Sequence, residues 1–150
     1  MGKLLQIAIR DASRAPLQHP ETATITAETG ITGDFRGTVA NRQVTILSRE
    51  AWENACKDLG VDIDWTARRA NLLIEGIDLN ETTGQQISIG DIVLEITGET
   101  TPCPRMDEAY QGLQNALGPD WRAGATCKVL TGGQISVGDS VQIESVVAAV

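Results

Sequence analysis

The chain has 150 residues, with 12 Lys and Arg against 20 Asp and Glu, a net charge of −8 and a pI near 4.5. That length suits one domain able to bury roughly 70% of its unfolded surface without metals or disulfides, and the acidic balance argues against nucleic acid and anionic lipid as partners. No apolar run approaches the roughly 20 residues of a membrane span, and the start at Met1-Gly2-Lys3-Leu4-Leu5-Gln6 turns polar before a signal-peptide core could form, so a cytoplasmic protein is expected.

Hydrophobic residues make up 41% of the chain but aromatics only 3%, which leaves Ile, Val, Leu and Ala to build the core. In chain order, short alternating or apolar runs fall at residues 4–10, 23–27, 43–47, 71–75, 92–97, 127–130 and 140–143, each bounded by Gly, Asp, Asn or Thr. Short strands punctuated in this way predict a mainly β sandwich or barrel, and no low-complexity linker divides the chain, so a single domain over residues 1–150 is expected.

Two helices interrupt the runs. Over residues 48–59, Leu47 and Trp52 flank Ser48 as a hydrophobic staple around an N-cap, Glu50 favours the positive helix end, and Gly60 supplies the stop. The buried stripe is Ala51, Trp52, Ala55, Cys56 and Leu59. A second helix is expected over residues 104–117, opened by Pro104 at its first position, with Met106, Ala109, Tyr110, Leu113 and Leu117 on one side and Gly118-Pro119 at its end. One internal echo stands out: Gln86-Ile87-Ser88-Ile89-Gly90-Asp91-Ile92-Val93 recurs as Gln134-Ile135-Ser136-Val137-Gly138-Asp139-Ser140-Val141. Each copy reads as strand, Gly-Asp turn, strand, so two related corners of one closed sheet are expected.

The three cysteines, Cys56, Cys103 and Cys127, have no short spacing, which suits neither a disulfide framework nor a CxxC site. Cys56 falls on the buried face of the first helix, and alternation puts Cys127 on the side of Ala125 and Val129, so both read as core. Cys103 is different. If Pro104 begins a helix, Cys103 is its N-cap, where unpaired N–H groups, the helix dipole and Arg105 favour thiolate, while Pro102 and Pro104 restrict the backbone. Such a thiol suits a nucleophile or a soft-metal ligand, and an inert loop cysteine is the alternative.

Basic residues are scarce, so their clusters matter. Arg68-Arg69 precede Asn71, Arg36 follows Gly30-Ile31-Thr32-Gly33-Asp34-Phe35, and Arg42 precedes Gln43. Guanidinium groups beside Asn and Gly-rich turns can form a phosphate or carboxylate site; the alternative is surface pairing with the surplus carboxylates. His19, between Gln18 and Pro20, reads as a surface loop residue.

The ordered set Gly30 to Asp34, Arg42 to Ser48, Arg68 to Leu79, Gly84 to Leu94, Thr101-Pro102-Cys103 and Leu130 to Asp139 resembles the MOSC domain family, the fold of molybdenum-cofactor sulfurase C-terminal domains. The resemblance spans nearly the whole chain and places the family's cysteine on Cys103. It implies a closed β-barrel and a cysteine that either carries persulfide sulfur or ligates molybdenum. It further implies a sulfur carrier fed by a pyridoxal-phosphate cysteine desulfurase, or a molybdopterin-dependent reductase of N-hydroxylated compounds. Arg69, Asn71, Gly33, Asp34 and Arg36, with Arg68 beside them, become expected walls of a cofactor or substrate cleft. A non-catalytic module that binds a small anion beside an inert Cys103 is the competing reading.

Overall fold

A computed structural model describes residues 2–12, 15–34, 42–68, 70–102 and 104–144. Its strands are β1 (Gly2–Ile7), β2 (Thr22–Thr26), β3 (Gly30–Ile31), β4 (Val44–Ser48), β5 (Leu72–Glu75), β6 (Gln86–Ile89), β7 (Ile92–Glu99), β8 (Ala125–Thr131), β9 (Gly133–Ser136) and β10 (Ser140–Glu144). Seven of them close a barrel in the order β1-β10-β6-β7-β8-β4-β5, with β5 returning to β1, and β3-β2-β9 form a small second sheet. Every barrel pairing is antiparallel except β4 with β5. All seven runs read from the sequence are strands.

Alternation fills the barrel. Leu4, Ile46, Leu72, Ile74, Ile87, Ile89, Ile92, Leu94, Ile96 and Cys127 point into one aliphatic cluster. β4 is buried along its whole length. Its Ile46 faces the barrel interior, whereas Leu47 joins an outer layer with Trp52, Ala55, Cys56, Trp65, Leu73, Met106, Leu113, Leu117 and Ala123. A strand covered on both faces has no solvent side to alternate with, so Val44, Ile46 and Leu47 are all apolar, while the buried hydroxyls of Thr45 and Ser48 are hydrogen-bonded to Asn71 and to the Ala51 N–H.

The first helix, α1 (Arg49–Leu59), has the expected ends: Ser48 Oγ accepts the Ala51 N–H at 3.3 Å, and Gly60 takes the left-handed conformation at φ 69°. The region expected as a second helix is instead two single turns, α2 (Met106–Ala109) and α3 (Leu113–Ala116). Gly112 between them sits at φ 94°, in the left-handed region, and reverses the chain there. The break rotates the apolar stripe, so Met106, Leu113 and Leu117 are buried while Ala109 and Tyr110 are exposed.

The two Gly-Asp corners lie together. Pairing of β6 with β10 sets Ile89 opposite Val141, and the Gly90 N–H donates to Ser140 O at 3.3 Å. Asp139 Oδ2 accepts the Ser136 N–H at 2.8 Å inside its own turn and lies where a side chain on Gly90 would need to be. The echoed sequences are thus neighbouring corners that pack on each other.

Candidate functional site

Sequence places the candidate thiol between Pro102 and Pro104. Cys103 lies outside the described residues, as do Arg36 and Arg69. Its surroundings are described on both sides. Pro104 and Arg105 form a turn in which the Asp107 N–H donates to Pro104 O and the Glu108 N–H to Arg105 O, each at 3.1 Å. The helical turn begins only at Met106, with Arg105 at the cap position and no side-chain cap. This corrects the expectation of a long helix starting at Pro104: one turn of four residues adds little macrodipole, because that field sums over aligned peptides. Arg105 remains as the source of positive charge.

A cleft of about 570 Å³ opens beside this turn, lined by Arg10, Ala15, Leu17, Ile63, Asp64, Thr66, Ala67, Arg105, Glu108 and Ala109. One wall is the turn Arg105–Ala109, another is the 3₁₀ helix Trp65–Arg68 with its entry, and the third is the chain leaving β1. Several anchors fix these walls. Trp52 Nε1 donates to Ile63 O at 2.8 Å, which ties α1 to the entry of the 3₁₀ helix. Asp64 caps that helix by accepting the Thr66 N–H at 2.9 Å and the Thr66 hydroxyl at 2.8 Å. These two bonds, the backbone one foremost, hold the Asp64 carboxyl below its ordinary pKa, with a smaller contribution from His19. His19 is exposed as expected, yet its Nδ1 donates to Ile7 O at 3.2 Å and its ring meets Trp65 edge-on at 6.1 Å.

Arg10 is the cleft residue that sequence reasoning missed. It is 7% exposed although charged, and its N–H donates to Asp34 Oδ1 at 3.2 Å. The Gly33-Asp34 turn, expected as a cleft wall, is therefore joined to the cleft through the backbone of Arg10. Arg68, also an expected wall residue, is buried, and its Nε donates to Ala123 O at 2.7 Å. Asn71 is buried too. Its Oδ1 accepts the Thr45 N–H at 3.0 Å and the Thr45 hydroxyl at 3.1 Å, and its Nδ2 donates to Ala8 O at 3.1 Å. Those bonds bolt β1, β4 and β5 together. The exposed Arg42 does not line the cleft.

The other two thiols are core residues. Cys127 is fully buried inside the barrel and desolvation pushes its pKa far up; Cys56 is 6% exposed, with Sγ 3.8 Å from Ile63 O. Thr100, just before the Thr101-Pro102 segment, is buried with a hydroxyl that meets no partner, while its N–H donates to Gly124 O at 2.9 Å. Among the described residues no His, Cys, Asp and Glu cluster could hold a metal ion, and no helix is long and apolar enough to cross a membrane. A second cavity of about 440 Å³ at the start of α1 collects Glu50, Asp78 and Asp120 and contains none of the candidate site residues. Of the two cavities, the Arg10–Arg105 cleft is the one that adjoins the turn following Pro104.

The family model for the MOSC domain matches residues 29–142. The chain belongs to the MOSC domain family. That family is associated with molybdenum-cofactor-related sulfur and binding functions. No curated protein matches the chain in sequence. Among solved structures, the YuaD protein from Bacillus subtilis superposes with a TM-score of 0.81 at 21% identity, covering 97% of each chain. YiiM from Geobacillus stearothermophilus gives 0.73 at 13% identity, over 97% of this chain and 76% of that one. YiiM from Escherichia coli gives 0.72 at 16% identity, over 99% and 72%. At these identities the likeness establishes the fold of this MOSC domain, a closed β-barrel with a few short helices.

Proposed function

We propose that this MOSC domain works through the Cys103 thiol at the Arg10–Arg105 cleft, either carrying sulfur or holding a molybdenum cofactor. The observation that supports the reading best is elimination among the thiols: Cys56 and Cys127 are buried in the two core layers, whereas Cys103 is flanked by a turn whose next residue, Arg105, lines an open cleft. A thiolate beside a guanidinium is stabilised against protonation and is the attacking and metal-binding form.

As a sulfur carrier, the Cys103 thiolate attacks the outer sulfur of a donor persulfide, forms a new S–S bond and releases the donor thiolate, with no net oxidation. A pyridoxal-phosphate cysteine desulfurase is the proposed donor. The residues also fit a molybdenum cofactor: the cleft lies within the roughly 300–1,000 Å³ of small-molecule sites, Arg10 and Arg105 would hold the anionic phosphate, and Cys103 would supply a soft ligand. When bound, that group supplies two-electron redox chemistry, the route by which N-hydroxylated compounds would be reduced. Protein purified from its own cell without reductant, examined by intact mass for added sulfur and by elemental analysis for molybdenum, tests the proposal. One of the two is expected in the wild type and neither in Cys103→Ser. Equal loading in both proteins overturns it.

A further inference from the structure

The cavity of about 440 Å³ at the start of α1 shares no lining residue with the Arg10–Arg105 cleft, and its size suits a small ligand. Glu50, Asp78 and Asp120 bring carboxylates to it, and among the described residues none of them takes part in an ion pair. The nearby cations are spent on other groups. Arg122, the guanidinium of the described lining, joins Asp58 at 2.6 Å and Ala116 O at 3.0 Å, and Arg49, next to Glu50 in the chain, joins Glu53 and Glu75. A net negative field therefore faces the cavity. A metal ion does not answer it, because among the described residues no group of His, Cys, Asp and Glu could hold one.

Two further features go beyond charge. The first is Trp121, which follows Asp120 in the cavity wall; the two stand at φ 58° and 55°, consecutive left-handed positions that side chains disfavour. The turn is clamped there, since the Gly124 N–H donates to Trp121 O at 2.9 Å and the Arg122 N–H to Pro119 O at 3.0 Å. An indole half-buried against the barrel cluster is thereby held in the wall of a negatively charged cavity, and an aromatic face attracts cations. The second is Ser48, which is 4% exposed and also lines the cavity. Its oxygen accepts the Ala51 N–H, which leaves the hydroxyl proton with no acceptor among the described residues. A buried donor left unspent in a cavity wall calls for an acceptor on a ligand. Ile77 and Leu79 add a buried apolar floor.

We infer that this cavity binds a small organic ammonium ion that carries an oxygen, an amino alcohol of the choline type, its ammonium group on the Trp121 ring beside Asp78 and Asp120, its carbon atoms over Ile77 and Leu79, and its oxygen accepting the Ser48 hydroxyl. A bare metal ion would use the charge but neither the ring nor the apolar floor. A neutral polyol would use the ring and the hydroxyl and leave the carboxylates unneutralised. Binding there does not depend on Cys103.

Three probes of nearly equal shape separate the contributions: choline, its uncharged carbon isostere 3,3-dimethyl-1-butanol, and propyltrimethylammonium, in which a methyl replaces the hydroxyl. Binding to the full chain is measured by titration calorimetry and located by shifts of amide and indole resonances. Choline is expected to bind at least about tenfold tighter than the butanol, as loss of the cation–π contact and of the carboxylate attraction predicts, and a few-fold tighter than propyltrimethylammonium. Shifts should gather at residues 48–54, 76–80 and 120–122, with the Trp121 indole N–H among them. The double variant Asp78→Asn, Asp120→Asn removes charge without threatening the fold: both positions are exposed, asparagine tolerates the left-handed backbone at 120, and its amide oxygen still accepts the Asn80 N–H at 78. That variant should weaken choline and propyltrimethylammonium by at least about tenfold and leave the butanol unchanged. Added salt should weaken the two cations in the wild type in the same way. Trp121→Leu, which also trims the barrel packing, serves as a supporting variant and should weaken the cations more than the butanol. Absence of choline binding in the millimolar range, equal affinity for choline and the butanol, or unchanged choline binding in the double variant overturns the inference.

Discussion

Replacing Asn71 by alanine removes the bolt between three barrel strands and tests whether this residue serves the fold or a ligand. Its amide oxygen accepts from the Thr45 N–H and hydroxyl, and its amide nitrogen donates to Ala8 O, all within 3.1 Å and at a position 8% exposed. Truncation leaves the Thr45 N–H and the Ala8 carbonyl short of a partner; the Thr45 hydroxyl can turn and adapt. Two buried main-chain groups left unsatisfied at roughly 1–3 kcal/mol each give a loss of about 3 kcal/mol. Against a total stability of about 5–15 kcal/mol that is a large fraction. For a chain of this length it lowers Tm by roughly 6–12 °C. Urea unfolding followed by far-ultraviolet circular dichroism, with the midpoint falling and the slope unchanged, is the assay. A loss below about 1 kcal/mol, together with weakened binding of a cleft ligand, would refute the structural role and restore Asn71 as a site wall.

Other substitutions probe the remaining parts of the account. Gly124 sits at φ 102°, and a Cβ there would run into Ile46 O, so Gly124→Ala should cost several kcal/mol, at least about 2, read as a falling urea midpoint; a neutral result would show that β4 and β8 can separate there. Thr100→Val replaces an unpartnered buried hydroxyl by a methyl of similar shape and should raise Tm, by about 1 kcal/mol of added stability. Calorimetry showing a loss would mean that the hydroxyl is satisfied in solution. Asp64 has a depressed folded pKa, so its contribution is present above the ordinary Asp value near 4 and disappears as pH falls through the depressed one. A pH series of unfolding midpoints should therefore diverge between wild type and Asp64→Asn above about pH 4 and converge well below it.

Much of the barrel was legible because its strands obey local rules. Period-two alternation named the seven runs that became strands, and the Ser48 cap with the Gly60 stop bounded α1 to within one residue at its start. The repeated Gly-Asp pair identified two corners, although only the β6–β10 pairing shows that they touch. The two-residue β3 carries too little pattern to be read. The second helix failed at Gly112, which a helical stripe tolerates on paper but which here adopts the left-handed conformation and turns the chain.

The site was less legible, for a physical reason. Arg10 is buried, its backbone N–H bonds to Asp34 and it shares the cleft with Ile63 to Ala67 and Arg105, segments far from it in sequence, so nothing local marks it as a cleft residue. Asn71 beside two arginines suggested a ligand wall, yet Thr45 and Ala8, contributed by neighbouring strands, take its hydrogen bonds. Types of residue were readable from the sequence; which of them the fold satisfies internally depends on long-range contacts.

The central claim, that Cys103 is the working thiol, is tested most directly by timed alkylation of the native protein with iodoacetamide across pH 6–9, read residue by residue by peptide mass spectrometry. Labelling at Cys103 should be early and dominant and persist below the ordinary thiol pKa of about 8.5, while Cys56 and Cys127, buried in the two core layers, label only after denaturation. Labelling of Cys56 or Cys127 before Cys103, or a Cys103 rate no higher in the native protein than in the unfolded chain, would contradict the account.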